Sequence, residues 1–215
     1  VILFFLMLIS FYCSSQSINQ KDNSGNKQGL WIKNYDNGSV RYKGKFSQNI
    51  PQGIFYYYYK TGELQAEKDF FHNGLAAATH IFYKDGSLKA SGLYVNNLKD
   101  STWNYYNNDS IIVMSEQYKN GKLNGITSTF YYDGSIYEIK SWINGVENGR
   151  WFQYFKDGQV KIEALYKDGL RDRVITSFYS NGTVYYSGSY DKGVRIGEWK
   201  YFDIEGGVDT IINYR

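Results

Sequence analysis

The chain has 215 residues; Tyr 23, Phe 13 and Trp 5 make aromatics 19% of it, against Gly 22, Pro 1, Cys 1 and His 2. This aromatic content excludes a disordered chain, and a single cysteine excludes a disulfide framework or a cysteine-rich zinc site. Lys+Arg 24 against Asp+Glu 21 leaves +3 with the signs interspersed, which excludes the clustered basic footprint of a nucleic-acid-binding protein. Aromatics favour half-buried strands and glycine favours turns, so an all-β fold is expected.

Residues 1–12 read VILFFLMLISFY, apolar apart from Ser10. The run is shorter than the roughly 20 residues that span a bilayer. It has the character of the apolar core of a signal peptide, with small Cys13, Ser14 and Ser15 after it. A start Met and a basic leader are missing, so residues 1–15 are expected to be a signal peptide lacking its beginning. Two forms of processing compete: cleavage after Ser15, and lipidation of Cys13, which bulky Tyr12 disfavours. Both place the protein outside the cytoplasm, in the periplasm, at the cell surface or in the medium; membrane attachment is expected only with lipidation at Cys13. The polar residues 16–27 that follow form either a linker or a cap on the first end of the fold.

From residue 28 onward one pattern governs the chain. A glycine recurs every 24 residues at Gly38, Gly62, Gly86, Gly134, Gly158, Gly182 and Gly206, with Ser110 filling the gap in register. Two residues later stand Val40, Leu64, Leu88, Ile112, Ile136, Val160, Val184 and Val208; six residues beyond these stand Phe46, Phe70, Tyr94, Tyr118, Trp142, Tyr166, Tyr190 and Tyr214. Fixed-period self-similarity is the signature of a repeat array, here eight units over residues 28–215. Within a unit a strand such as residues 30–35 meets an Asn-Gly or Asp-Gly turn, and a second strand follows over about 39–46. Further turns at Asn120-Gly121, Asn144-Gly145, Asp168-Gly169 and Lys192-Gly193 join the units, with Asn73-Gly74 slipped by one.

The prediction is therefore an elongated antiparallel meander of about sixteen strands, roughly 75 Å long at about 4.8 Å per strand. One hairpin alone is marginal in water, so stability must come from neighbouring units. Trp31, Phe55, Trp103, Trp151 and Trp199 share one position, and Gly29, Gly53, Gly125, Gly149 and Gly197 another two residues earlier. A flat side chain lying across a strand glycine is expected. A two-residue turn sets Trp31 beside Gly44; a three-residue turn with a bulge shifts every pair by one and exchanges the faces. The pattern allows both.

The form Gly-x-Trp-x-x-Tyr-Tyr-x-(Asp/Asn)-Gly, followed by an aliphatic and an aromatic, resembles the MORN repeat in its bacterial variant. Gly149, Trp151, Tyr154, Phe155, Asp157, Gly158, Val160 and Tyr166 carry the best match. The resemblance covers residues 28–215 and implies a β-hairpin ribbon without catalytic machinery. Eukaryotic members are similar in repeat chemistry and are associated with membrane-proximal scaffolding and partner binding. Many bacterial members carry an antitoxin label, which an exported chain fits poorly. Three units depart from the pattern: the third has Ala76, Ala77, Ala78 and Thr79, the fourth Ser101, Asn107 and Ser110, the seventh Arg173 and Ile175. These units are expected to be looser or differently twisted.

No catalytic constellation emerges. His72 falls in a turn and His80 in a strand, without a metal-spaced set beside them. Asp85, Asp109, Asp133 and Asp157 have a backbone role in turns, and the glycines follow the hairpin period rather than opening a helix as a phosphate loop would. The reading is no enzyme, no cofactor and no metal. Arg171, Arg173 and Arg195 lie close to Asp168, Asp172 and Asp191, so a neutralised, solvated edge is expected there.

Binding is the better class, because a single layer of strands cannot bury both its faces against itself. Tyr58, Phe82, Tyr106, Phe130, Tyr154, Phe178 and Phe202 form one stripe, and Tyr35, Tyr59, Tyr83, Tyr131, Phe155 and Tyr179 the next. Adjacent positions point to opposite faces, so at least one stripe should stay partly exposed as an interface. The first stripe is the candidate surface for a protein partner. Alternatives are an antitoxin-like or immunity role against a toxin partner, and a glycan or cell-envelope binding module.

Overall fold

The computed structural model describes residues 17–215; the signal-peptide reading and Cys13 lie outside the described residues. Each strand pairs antiparallel with its neighbours in sequence, giving one open sheet of 17 strands. The order opens with β1 (Gln20–Lys21), β2 (Lys27–Asn34), β3 (Val40–Ser47) and β4 (Ile50–Tyr58) and continues in the same way to a last strand at Val208–Tyr214. The strand beyond the sixteen expected is β1, where Gln20 faces Gln28 and Lys21 faces Lys27. Asn19 extends this contact: its amide donates to the Leu30 carbonyl (2.8 Å) and its side-chain oxygen accepts from the Ile32 amide (2.8 Å).

The turn inside a repeat is the three-residue kind. Gly38 N–H donates to the Tyr35 carbonyl (2.9 Å) and Tyr35 N–H to the Ser39 carbonyl (2.8 Å), with Gly38 at φ 86. Asn34 then faces Val40 while Lys33 faces Tyr42, so Arg41 is one residue too many and the register slips back. Trp31 consequently faces Gly44. Both alternatives left open by the sequence are realised at once: the bulged turn, and the pairing of the two-residue turn.

The turn between repeats has two residues, as where Ser47 faces Ile50 across Gln48 (φ 51) and Asn49 (φ 66). Two positive φ values are what the tight hairpin turn requires. A second irregularity follows. Lys45 faces Gln52 but Lys43 faces Tyr56, so β4 covers four steps while β3 covers two. Gly53, at φ 61, stands in that bulge. The bulge swings Phe55 over the backbone of Gly44, where an added Cβ would fall inside the ring. Trp103 covers Gly92 and Trp199 covers Gly188 in the same manner. The glycine beneath each ring thus belongs to the preceding repeat, whereas Gly29 and Gly53 have nothing within 4 Å of a Cβ and serve the backbone conformation instead.

Residues on the ring position of repeats two to eight are all buried: Phe55 2%, Thr79 1%, Trp103 0%, Thr127 8%, Trp151 7%, Ile175 2% and Trp199 1%. Trp31, with no preceding repeat beneath it, is only half-buried. The second-strand aromatics close around these rings edge to face, as Phe46 does on Phe55 (5.0 Å), Tyr94 on Trp103 (4.9 Å) and Tyr190 on Trp199 (5.2 Å). Each such pair contributes about 0.5–1.5 kcal/mol beyond its buried area. This is the packed face of the sheet. The opposite face has no covering layer among the described residues, and Ile54 (46%), Val174 (54%) and Ile143 (53%) stand exposed there.

The departing units are accommodated rather than loosened. In the fourth and seventh, Ser101 (φ 57) and Arg173 (φ 61) hold the backbone conformation that glycine holds elsewhere. In the third, β5 (Leu64–Phe71) joins β6 (Ala76–Phe82) through a longer turn containing His72, Asn73 and Gly74, all at positive φ. Phe71 faces Ala76 and the pairing runs unbroken to Ala66 opposite Ile81. The extra residues sit in the turn instead of in a bulge, so alanine replaces glycine, and Ala76 and Ala77 are buried at 5% and 2%.

Two predictions follow from this packing. Gly188→Ala should lower the urea midpoint by the equivalent of about 1–3 kcal/mol, the usual cost of overpacking, because its Cβ meets the Trp199 ring. An unchanged midpoint would mean that the ring does not lie there. Arg173→Gly should raise the midpoint, relieving roughly 1 kcal/mol of left-handed backbone strain, since Arg173 is held at φ 61.

Candidate functional site

The stripe singled out in the sequence lies on the open face. Tyr58 faces Leu64, Phe82 faces Leu88, Tyr106 faces Ile112, Phe130 faces Ile136, Tyr154 faces Val160, Phe178 faces Val184 and Phe202 faces Val208. Aromatic and aliphatic side chains therefore alternate from strand to strand in a continuous row. All seven aromatics are half-buried, while Ile112 (37%), Ile136 (40%) and Val208 (56%) beside them are exposed. Paired same-face neighbours on adjacent strands lie about 5 Å apart, so each repeat adds one aromatic–aliphatic pair to an apolar row.

The second stripe stands at the rim and has a structural role. Tyr35 OH donates to the Tyr58 carbonyl (2.8 Å), Tyr59 OH to that of Phe82 (2.9 Å), Tyr83 OH to that of Tyr106 (3.0 Å), Tyr131 OH to that of Tyr154 (2.8 Å) and Tyr179 OH to that of Phe202 (2.9 Å). Each tyrosine ties its own turn to the next repeat, and the carbonyl it holds belongs to a residue of the candidate row. The other rim is joined chiefly through backbone: Gly121 N–H donates to the Lys99 carbonyl (2.8 Å), Gly145 to Leu123 (2.7 Å), Gly169 to Glu147 (2.9 Å) and Gly193 to Arg171 (2.8 Å), with side-chain bonds such as Lys27 N–H to Asn49 Oδ1 (2.8 Å) beside them. Each such bond adds about 0.5–1.5 kcal/mol, so both rims hold the row at a fixed spacing.

Cations divide the two faces further. Lys27 lies over Trp31 (4.8 Å) and Phe46 (4.6 Å), Lys99 over Trp103 (4.7 Å), Arg171 over Trp151 (5.4 Å) and Tyr190 (5.6 Å), and Arg195 over Trp199 (4.4 Å) and Tyr214 (5.5 Å). These four share one position of the 24-residue frame, a signal present in the sequence but not used there. Arg171 also donates to the hydroxyls of Tyr166 and Tyr190 (both 3.2 Å), and Arg195 to that of Tyr214 (2.9 Å). The expected neutralised edge is thus corrected for two of its three arginines, which roof the packed face; Arg173 alone meets a carboxylate, that of Asp172, at 3.7 Å. On the candidate row the cation found over a ring is Lys43, near Tyr56 (5.2 Å) and Tyr58 (5.6 Å).

The packed face becomes polar in the middle of the array. Lys99 Nζ sits among Trp103, Tyr105 and Tyr118 at 4.7, 5.0 and 4.9 Å and donates to the Tyr105 hydroxyl (2.5 Å). Tyr118 donates to Glu116 (2.7 Å). Burial lowers the Lys99 ammonium and raises the Tyr105 phenol; burial, with the Glu116 hydrogen bond second, pushes Tyr118 up to about 12. His72 and His80 are both exposed, and no three His, Cys, Asp or Glu converge among the described residues.

Two segments, residues 51–73 and 147–168, match the family model described as the MORN repeat variant. Each match covers one hairpin, β4 with β5 in the first case and Val146–Tyr154 with Val160–Lys167 in the second. No curated protein matches the chain.

A raised phenol pKa means the folded state favours the neutral form. The stability Tyr118 contributes is full below its ordinary value of 10.0 and is lost as pH rises through about 12. Ultraviolet titration should show this tyrosine ionising after the exposed ones, and Glu116→Gln should bring it down toward the ordinary value; a midpoint that ignores the substitution would exclude the contact.

Proposed function

We propose that this chain of MORN-variant hairpins is a non-catalytic, exported scaffold that binds another protein through the aromatic row of its open face. One observation carries the reading. The packed face is closed by its own rings and by cations laid over them, whereas Tyr58, Phe82, Tyr106, Phe130, Tyr154, Phe178 and Phe202 run in a strip with aliphatics between them and no layer above among the described residues. An apolar strip of this extent on one face is what partner sites require, and tyrosine supplies both an apolar body and a polar tip to an interface. Export rests on the apolar run at residues 1–12.

The rigid spacing of the row supports a scaffold rather than a moving site. It is built on strands tied at both rims, so a partner meets a preformed surface and little ordering is needed on binding. Charge contributes little to attraction at +3, which favours an interface held by apolar contact.

The test replaces Tyr106, Tyr154 and Phe178 with alanine together. A partner recovered by cross-linking with the unmodified chain should be lost, while the far-ultraviolet spectrum and cooperative unfolding persist. Capture that survives the triple change, with the fold intact, would refute the row as the binding surface. A matched control, Ile54→Ala on the same face but outside the row, should retain capture.

A further inference from the structure

A separate feature lies on the packed face, beside the rim that carries the tyrosine bonds. Two clefts open there at opposite ends of the array. The first, about 430 Å³, is walled by Tyr35, Tyr42 and Tyr57 and carries Lys33 and Arg41. The second, about 550 Å³, is walled by Tyr179, Tyr185 and Tyr201 and carries Asp203, Glu205 and Asp209. Lys33 faces Tyr42, and Tyr42 faces Tyr57, which puts the first cleft on the face of Trp31 and Gly44. Tyr186 faces Tyr201, and Tyr201 faces Thr210, which puts the second on the face of Trp199.

The clefts are equivalent places in the repeat with the charge inverted. Arg41 and Asp209 occupy one frame position, seven repeats apart; Tyr35 and Asp203 occupy another. All five charged groups are exposed, and none makes an ion pair among the described residues. The second cleft is an aromatic wall edged by carboxylates, a receptor for a guanidinium or ammonium group. Arg41 is such a group, and it already lies over a tyrosine of its own chain, Tyr35, at 5.9 Å. Tyr185, 43% exposed, offers an equivalent face in the other cleft.

We infer that the occupant of each cleft is a second copy of this chain, the two copies pairing antiparallel with their packed faces together. The basic cleft of each copy meets the acidic cleft of the other. Both clefts lie on one face beside one rim, so a single two-fold axis parallel to the strands satisfies both contacts and closes the assembly. The open face of each copy points outward, so the aromatic row from Tyr58 to Phe178 stays available; only its last member, Phe202, also lines the acidic cleft.

The test is sedimentation of the full chain at two salt concentrations. At about 0.01 M the screening length is roughly 30 Å and at about 1 M roughly 3 Å, so a dimer is expected at low salt and a monomer at high. Lys33→Glu with Arg41→Asp leaves two acidic clefts, and Glu205→Lys with Asp209→Arg two basic ones; each two-site variant alone should be monomeric at low salt. Mixed in equal amounts they should form a heterodimer, and the chain carrying all four substitutions should dimerise again. All of these positions are exposed, and unchanged thermal unfolding checks the fold. A monomeric unmodified chain at low salt overturns the inference, as does a dimer that ignores the reversal of either cleft, a failure of the mixed variants to associate, or growth beyond the dimer.

Discussion

The structure depends on one contact, made across the junction between repeats: a side chain from the first strand of one unit laid on the backbone of the second strand of the unit before it. A two-stranded hairpin is at best marginal in water, and among the described residues no second layer covers the strands. The ring over Gly44, Gly92 and Gly188 supplies that missing burial in the plane of the sheet. The bulge that brings Phe55 there follows from the same demand, because a regular pairing would set its ring beside the glycine instead of over it. Glycine in the bulge, the buried ring position and the edge-to-face aromatics are consequences of one packing arrangement repeated along the array.

The contact adjusts its sizes locally. Where the supporting position is glycine the residue above it is Phe55, Trp103 or Trp199. Where it is Ala164 the residue opposite is Ile175, and where it is Lys68 or Glu116 the residue opposite is Thr79 or Thr127. At these junctions a larger supporting residue goes with a smaller one above it, a volume exchange of the kind that well-packed interiors tolerate. Lys140 opposite Trp151 keeps a large ring over a long side chain. Its amine turns aside to Glu147 at 3.2 Å, and the indole N–H donates to Glu138 at 2.8 Å. Units that look degenerate in isolation are therefore matched to their predecessor.

The period, the strand count to within one, and the two kinds of turn were legible in the sequence because each has a strong local cause: a glycine or asparagine where φ must be positive, and an alternation of apolar residues between. The register was not, since within a repeat the third turn residue and the Arg41 bulge cancel, and between repeats the two extra residues of β4 leave no local trace. The supporting glycine was misplaced because it lies in the preceding repeat, and a comparison of units position by position compares only like with like. Ser101 and Arg173 were read as loosening because their chemistry differs from glycine, although the surrounding pairs hold them in the conformation glycine would adopt. The candidate residues fall on one strand of each unit, as their spacing of 24 requires. Their distinction from the Tyr35 stripe came only with the hydrogen bonds that commit those hydroxyls to backbone carbonyls.

The division of labour between the faces follows from the same contact. Once rings lie flat on the preceding strand, their outer surfaces need covering, and Lys27, Lys99, Arg171 and Arg195 do this with cations that stay hydrated at their tips. The opposite side keeps Tyr154 and Phe178 beside Val160 and Val184, and the cation that approaches its aromatic row is Lys43, near Tyr58 at 5.6 Å. A sheet of one layer stabilised in this way has an asymmetry of surface that no single repeat encodes: one face is finished by the protein itself, and the other is left apolar, ordered and spaced at the repeat distance.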